Sequence, residues 1–287
     1  MKNVTVVIPS YNRSHVLEKT IPTYIQECVE EIIIVNDCST DNTLNTLNKL
    51  KQEYKIIKII NNKENKKQAA SKNIALQYVK TKYVYFGDDD SYLDENCIIT
   101  LLNELKDNPN VGLVAANAIY LNEEYKPILR VSDSSVDFPS MSVNYTRILD
   151  NPIDSVFCPA CFVIETELAK RIQFNEKKYL GNGYREETDF VLNVRKKGLK
   201  TLLQGRVSQI NLPRSVSHGG SHAKTGLIYE YYCIKNTYLF LKEHYDYLSK
   251  IQPYSFFYLL LFSSILRLRG YLANNKVLYN IYKFIKG

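Results

Sequence analysis

Residues 83–93 read Tyr-Val-Tyr-Phe-Gly-Asp-Asp-Asp-Ser-Tyr-Leu: an unbroken apolar run delivered straight into three consecutive aspartates. A short apolar run bounded by Gly and Asp is the pattern of a strand covered on both faces, as in parallel sheets. Working outward, similar runs stand at Val4–Ile8, Ile32–Val35, Ile56–Ile60 and Val111–Ala115, about one βα unit apart. Between them the apolar residues recur with helical period: Val16, Leu17, Ile21, Tyr24 and Ile25, then Leu44, Leu47 and Leu50, then Ile74, Ala75, Tyr78 and Val79. This alternation predicts an α/β protein with a doubly wound, mostly parallel central sheet and helices on both faces.

In such sheets ligands bind beyond the carboxyl ends of the strands. The residues found there are polar: Pro9-Ser10-Tyr11-Asn12-Arg13 after the first run, Asn36-Asp37-Cys38-Ser39-Thr40-Asp41 after the second, and Gly87-Asp88-Asp89-Asp90 after the fourth. No glycine-rich dinucleotide fingerprint or P-loop is present. Three adjacent aspartates in a partly buried setting need a counter-charge, because each ionised carboxylate raises the cost of the next. A divalent cation such as Mg²⁺ or Mn²⁺ is the natural neutraliser, its shell completed by substrate phosphates and water. A solvated acidic turn is the plainer alternative, and the position directly after Tyr-Val-Tyr-Phe favours a site.

Further along, a helix is predicted over Thr166–Ile172, another from Glu186 to Lys197, two short strands at Lys200–Gln204 and Val207–Asn211, and long helices from Leu227 to His244 and again after Pro253. Residues 119–155 read as irregular strands and loops. Glu186, Glu187 and Asp189 open a helix that ends in Arg195, Lys196 and Lys197, which suits the helix dipole as well as it suits chemistry. His218 lies in Ser-Val-Ser-His-Gly-Gly-Ser-His, where it is an exposed loop histidine or a metal ligand. Cys158 and Cys161 have redox-like spacing but no second pair, and are read as packing.

Of 287 residues, 45% are hydrophobic and 23% charged, which excludes a disordered or low-complexity chain. Six cysteines in a chain of this length do not make a disulfide scaffold, and no signal peptide precedes Val4, so a reducing cytoplasm is expected. Ile251–Leu266, broken by Gln252 and Pro253, falls short of the roughly 20 apolar residues that span a bilayer. Between Lys235 and Gly287 eight Lys or Arg face only Glu243 and Asp246, so +6 of the formal +7 lies there. Interleaved with apolar stripes, this tail suits an anionic membrane surface, or packing on protein or on a sister subunit, better than nucleic acid.

VVIPSYNR, EIIIVNDCSTDNT, KNIA, YVYFGDDDSYL, REETDFVLNVRKKGLK and a His some thirty residues on, in that order, resemble the signature of family 2 glycosyltransferases over about residues 1–220. The resemblance implies a Rossmann-like GT-A fold in which 1–118 form the nucleotide-sugar-binding half, 119–226 the acceptor-binding and catalytic half, and 227–287 a C-terminal helical extension. It further implies an inverting, metal-dependent transfer from a nucleotide-sugar, typically a UDP-sugar, to a hydroxyl of a glycan or lipid-linked acceptor, by an enzyme peripheral to the inner face of the cell membrane.

By that resemblance Pro9, Tyr11 and Asn12 line the nucleotide pocket with Arg13 beside them, and Asp37 bonds the base. Lys72 stands where the family commonly has Arg and gives charge to the donor without a bidentate fork. Asp88, with Asp89 next to it, faces the donor; Asp90 is a direct metal ligand; His218 completes the Mn²⁺ or Mg²⁺ site. The family's Glu-Asp pair is Glu186-Glu187 here, which puts the catalytic base at Glu187, with Glu186 and Asp189 as alternatives. A sugar nucleotidyltransferase and a non-catalytic membrane-binding module on the same fold are the competing readings.

Overall fold

The computed structural model describes residues 2–128, 136–143, 151–213, 215–217 and 226–274. Strands β1 (Val4–Ser10), β2 (Val29–Asn36), β3 (Ile57–Asn61) and β4 (Tyr83–Phe86) run parallel, β1 lying between β2 and β4 with β3 outside β2. Beyond β5 (Ser91–Leu93) and β6 (Val111–Tyr120), two two-residue strands, β7 (Val136–Asp137) and β8 (Ser142–Val143), form a separate hairpin. The sheet is completed by β9 (Ile153–Asp154), β10 (Phe162–Glu165) and β11 (Lys200–Asn211). Its order is β3-β2-β1-β4-β10-β6-β11-β5, with β10 antiparallel between β4 and β6, β11 parallel to β6, and β9 paired to the start of β11.

Alternate residues of the strands feed two cores, as the two-residue period requires. Tyr83 and Tyr85 face one core with α1 (Ser14–Thr20), α2 (Thr43–Glu53) and α4 (Cys97–Asp107); Val84 and Phe86 face the other with α3 (Lys67–Leu76), α5 (Thr166–Ile172) and α6 (Glu186–Arg195). The second core holds an aromatic stack, with Phe174 on Phe190 at 4.3 Å and Phe86 edge-on to Phe162 at 5.3 Å between ring centroids. These geometries add to what area burial alone contributes and fix the base of α6 against the sheet.

All five predicted strands are present. The first helix is shorter than its period suggests, because Pro22 has no N–H for the next helical bond and the chain tightens into a 3₁₀ turn at Ile21–Tyr24. The two strands expected after α6 are one, β11, whose register against β6 shifts between Gln204 and Ser208. Gly205, Arg206 and Val207 fill that bulge and gave the segment its broken pattern.

The C-terminal extension consists of α7 (Gly226–Leu248) and α8 (Phe256–Asn274). Phe240, Leu241, Leu248 and Leu259 are buried with Phe157, Tyr179 and Leu192 of the α/β body, so α7 is docked on it. The apolar run at the start of α8 divides: Leu259 is buried, while Phe257 and Leu261 are 79% and 61% exposed. The second stripe, Val277–Ile285 with Lys276, Lys283 and Lys286, lies outside the described residues, as does His218.

Candidate active site

Gly87 ends β4 because nothing larger fits: a Cβ there would stand 2.6 Å from the Tyr24 ring. That close approach lets the Tyr24 hydroxyl donate to the Asp88 carbonyl at 2.7 Å and fixes the turn that presents the aspartates. Asp89 and Asp90 meet a cation of the chain itself. The buried Arg13 guanidinium lies 3.2 Å from Asp89 through Nε and 3.0 Å from Asp90 through a terminal nitrogen, and also donates to the Ser217 carbonyl. Burial raises both carboxyls, and Asp90 is pushed up to about 7 by burial and by Asp89, with Arg13 opposing. One guanidinium therefore does not balance the cluster. Asp88 accepts from Gln209 Nε2 at 3.2 Å and from the Cys161 thiol at 3.5 Å. Cys158 packs in the core, as expected of it.

At the neighbouring strand end Asp37 receives the backbone N–H groups of Lys66 and Lys67 and the Asn62 amide, each at 2.8 Å, so it caps the entry to α3 from across the sheet. Asn12, at a left-handed φ of 56°, accepts from the Thr40 N–H at 2.8 Å and ties the β1 and β2 loops together. Pro9 and Tyr11 lie half-buried in the same rim, and the Tyr11 N–H bonds Asp89.

The other wall of the cleft is the start of α6. Gly183 holds a φ of +69°, and a Cβ there would lie 2.9 Å from Glu186 Oε2, so the glycine makes room for the Glu186 carboxyl. Burial, and then the neighbouring Glu187, raise Glu186 well above the carboxylate range, and it shares a hydrogen bond with Glu187. The shift favours the protonated form of Glu186, the one that can donate to Glu187. The half-buried Glu187 also accepts from Gln68 Nε2 at 2.7 Å and from Lys72 Nζ at 3.2 Å. Gln68 and Lys72 are i and i+4 on α3, which puts both on one face. Lys72 is wholly buried, 4.9 Å over the Phe174 ring, and so faces the Glu pair rather than the open cleft. Burial lowers its ammonium, but Glu187, Asp88 and Glu186 outweigh that and raise it above the ordinary lysine value.

Asp189 is engaged elsewhere. It is buried and accepts from Tyr179 O–H at 2.6 Å, His244 Nε2 at 2.8 Å and Asn193 Nδ2 at 3.1 Å, which pins α6 to α7. Burial raises Asp189, yet the bonds from His244 and Tyr179 prevail and hold it below the usual range; burial holds His244 below its ordinary value despite Asp189. Donation from His244 Nε2 to Asp189 fits the neutral Nε2–H tautomer, and among the described residues its buried Nδ1 has no hydrogen-bond partner. A histidine depressed in the fold stabilises fully above its unfolded pKa of about 6.5 and loses that contribution as pH falls through the folded value. Urea titrations at about pH 8 and 5.5 should show stability falling with acid in the wild type and falling less in His244→Gln; equal slopes would remove the assignment.

The profile described as Glycosyl transferase family 2 matches residues 5–173, more than half of the chain. The chain is a family 2 glycosyltransferase. It is 33% identical over 112 residues to the poly(ribitol-phosphate) β-N-acetylglucosaminyltransferase TarP of Staphylococcus aureus (strain N315), which is 38% of this chain and 34% of TarP. It is 29% identical over 119 residues to the poly-β-1,6-N-acetyl-D-glucosamine synthase of S. aureus (strain COL), 41% of this chain and 29% of the synthase. The matched part is about a third of the length of these relatives. S. aureus TarS 1–349 in complex with UDP-GlcNAc superposes with a TM-score of 0.61 at 15% identity, covering 86% of this chain and 73% of that one. GalNAc-T7 with UDP, GalNAc and Mn²⁺ superposes at 0.65 and 16% identity, covering 85% and 49%. The shared fold is GT-A. Family membership supports the glycosyltransferase reading over the nucleotidyltransferase one.

Proposed function

We propose that this glycosyltransferase moves a sugar from a UDP-sugar to a hydroxyl of a glycan or lipid-linked acceptor, with inversion at the anomeric carbon and Glu187 as the base. The observation that supports it is the Glu187 carboxylate, held by Gln68, Lys72 and Glu186 at the start of α6, in the same electrostatic neighbourhood as Asp88. Glu187 takes the acceptor's proton while that oxygen attacks opposite the leaving diphosphate. Tyr11, Asn12 and Asp37 bind the nucleotide, and Lys72 keeps Glu187 in place. UDP-GlcNAc is the first donor to test, given what TarP and TarS are named for or bound to. Release of UDP from a panel of sugar nucleotides tests the reading; no release from any UDP-sugar, with acceptor extracts present, would overturn it.

The acidic turn fits a hard divalent cation, since its oxygens carry more charge than Arg13 balances. Asp88 and Asp90 would hold Mn²⁺ or Mg²⁺, and His218 follows directly on Ser217, whose carbonyl Arg13 binds beside Asp90. Among the described residues no three His, Cys, Asp or Glu side chains are grouped to hold a metal ion by themselves. A bound cation supplies Lewis-acid stabilisation of the departing diphosphate. Mn²⁺ should bind more tightly with UDP present than without, and Asp90→Asn should abolish the difference; equal calorimetric affinities in the wild type would refute the coupling.

The same reading puts the enzyme on an anionic membrane surface, the inner face of the cell membrane. Phe257, Leu261, Ile265, Leu268 and Leu272 are exposed at i, i+4, i+8, i+11 and i+15, one face of α8, and no helix among the described residues is long and apolar enough to cross a membrane. Phe257→Asp with Leu261→Asp should abolish flotation on anionic vesicles while leaving UDP release from soluble acceptors intact. Flotation equal to wild type would assign this face to protein contacts, a sister subunit among them.

A further inference from the structure

Tyr120 ends β6, at the carboxyl edge where the cleft opens. Its register partner on the parallel neighbour β11 is Asn211, two residues beyond the pair Ala118 and Gln209. Paired residues of neighbouring strands project to one face, and so do residues two apart. The face is identified by Gln209, whose Nε2 donates to Asp88 Oδ2 at 3.2 Å and to Asn211 Oδ1 at 2.9 Å. Tyr120 therefore stands on the Asp88 side of the sheet. Just after Asn211, the Leu212 N–H donates to the Asp90 carbonyl at 3.2 Å, which draws the β11 end, and Tyr120 with it, onto the acidic turn.

Tyr120 is 49% exposed. Burial raises the phenol, and Asp88, Cys161, Asp90 and Glu187 add to the shift, in keeping with a place on the Asp88 side of the sheet. A large exposed aromatic ring at that place has an open face and, among the described residues, an O–H with no hydrogen-bond partner. Resting on the reading that Asp88 and Asp90 hold the donor diphosphate and Glu187 the acceptor oxygen, the anomeric carbon must lie between them, and the transferred pyranose beside it.

We propose that Tyr120 is a specificity-determining residue that contacts the transferred sugar, its ring against the apolar C–H face of the pyranose and its O–H to a sugar hydroxyl. An aromatic contact and one hydrogen bond each amount to roughly 0.7 kcal/mol, together about a tenfold change in affinity. Calorimetry with UDP and with UDP-GlcNAc separates sugar from nucleotide contacts. Tyr120→Ala should bind UDP as the wild type does and UDP-GlcNAc about tenfold more weakly; Tyr120→Phe should lie between them. Unchanged UDP-GlcNAc affinity in Tyr120→Ala, or a loss of UDP affinity equal to that for UDP-GlcNAc, would overturn the assignment, whereas a wild-type protein that binds neither compound would instead overturn the donor reading on which it stands.

Discussion

Glu187→Gln should lower turnover by about 10²–10⁴ while UDP binds almost as tightly as before. Glutamine keeps the size of the side chain and still accepts from Gln68 and Lys72 at 2.7 and 3.2 Å, so geometry is preserved and only proton abstraction is removed. The neighbouring acid sharpens the expectation. Glu186 is raised first by burial and then by the Glu187 charge, so in the variant the second influence is gone and its carboxyl shifts back toward the ordinary range. Residual activity in Glu187→Gln should therefore fall further in the double variant with Glu186→Gln. Glu186→Gln alone, which can still donate to Glu187, should retain most of the turnover. Wild-type turnover in Glu187→Gln would move the base elsewhere, and the engagement of Asp189 with Tyr179, His244 and Asn193 leaves Glu186 as its successor.

The second large effect concerns stability. Arg13→Met should destabilise the fold by about 3–5 kcal/mol near neutral pH, because it strands two nearly buried carboxylates, Asp89 and Asp90, without their cation. A carboxyl raised in the fold takes up protons more readily than its unfolded counterpart, so stability from this source is present at low pH and is lost as pH rises through the folded value. Asp90 is at about 7 even with Arg13 in place, and removal of the guanidinium pushes it higher still. The deficit of Arg13→Met should consequently be large at about pH 8 and shrink toward pH 5, with Mn²⁺ restoring part of it. A deficit that is small, or the same at both values, would show that the ion pairs do not carry this charge.

The sheet was legible because its strands are covered on both faces, so Val4–Ile8, Ile32–Val35 and Tyr83–Phe86 read as apolar runs, interrupted only at Thr5, that no exposed element would tolerate. Local backbone chemistry accounts for the differences at Pro22 and at Gly205–Val207, each confined to a turn or a bulge. The polar strand ends were visible for the same topological reason. Their pairings were not, since they join residues far apart in the chain: Arg13 with Asp89 and Asp90, Gln209 with Asp88, Lys72 with Glu187, His244 with Asp189. A divalent cation was expected to neutralise the three aspartates, whereas the chain carries its own partial neutraliser in Arg13. Gln68 had a readable signal, its i, i+4 spacing to Lys72, whereas nothing in the irregular stretch after Ala118 marked Tyr120.

The central claim is that one carboxylate drives a single displacement at the anomeric carbon. The most direct test is the configuration of the product formed from an α-linked UDP-sugar, read from the anomeric proton coupling by NMR, with UDP release followed in the same sample. A β-linked product, formed by the wild type and suppressed in Glu187→Gln, is the result predicted; an α-linked product would require a second displacement and contradict it.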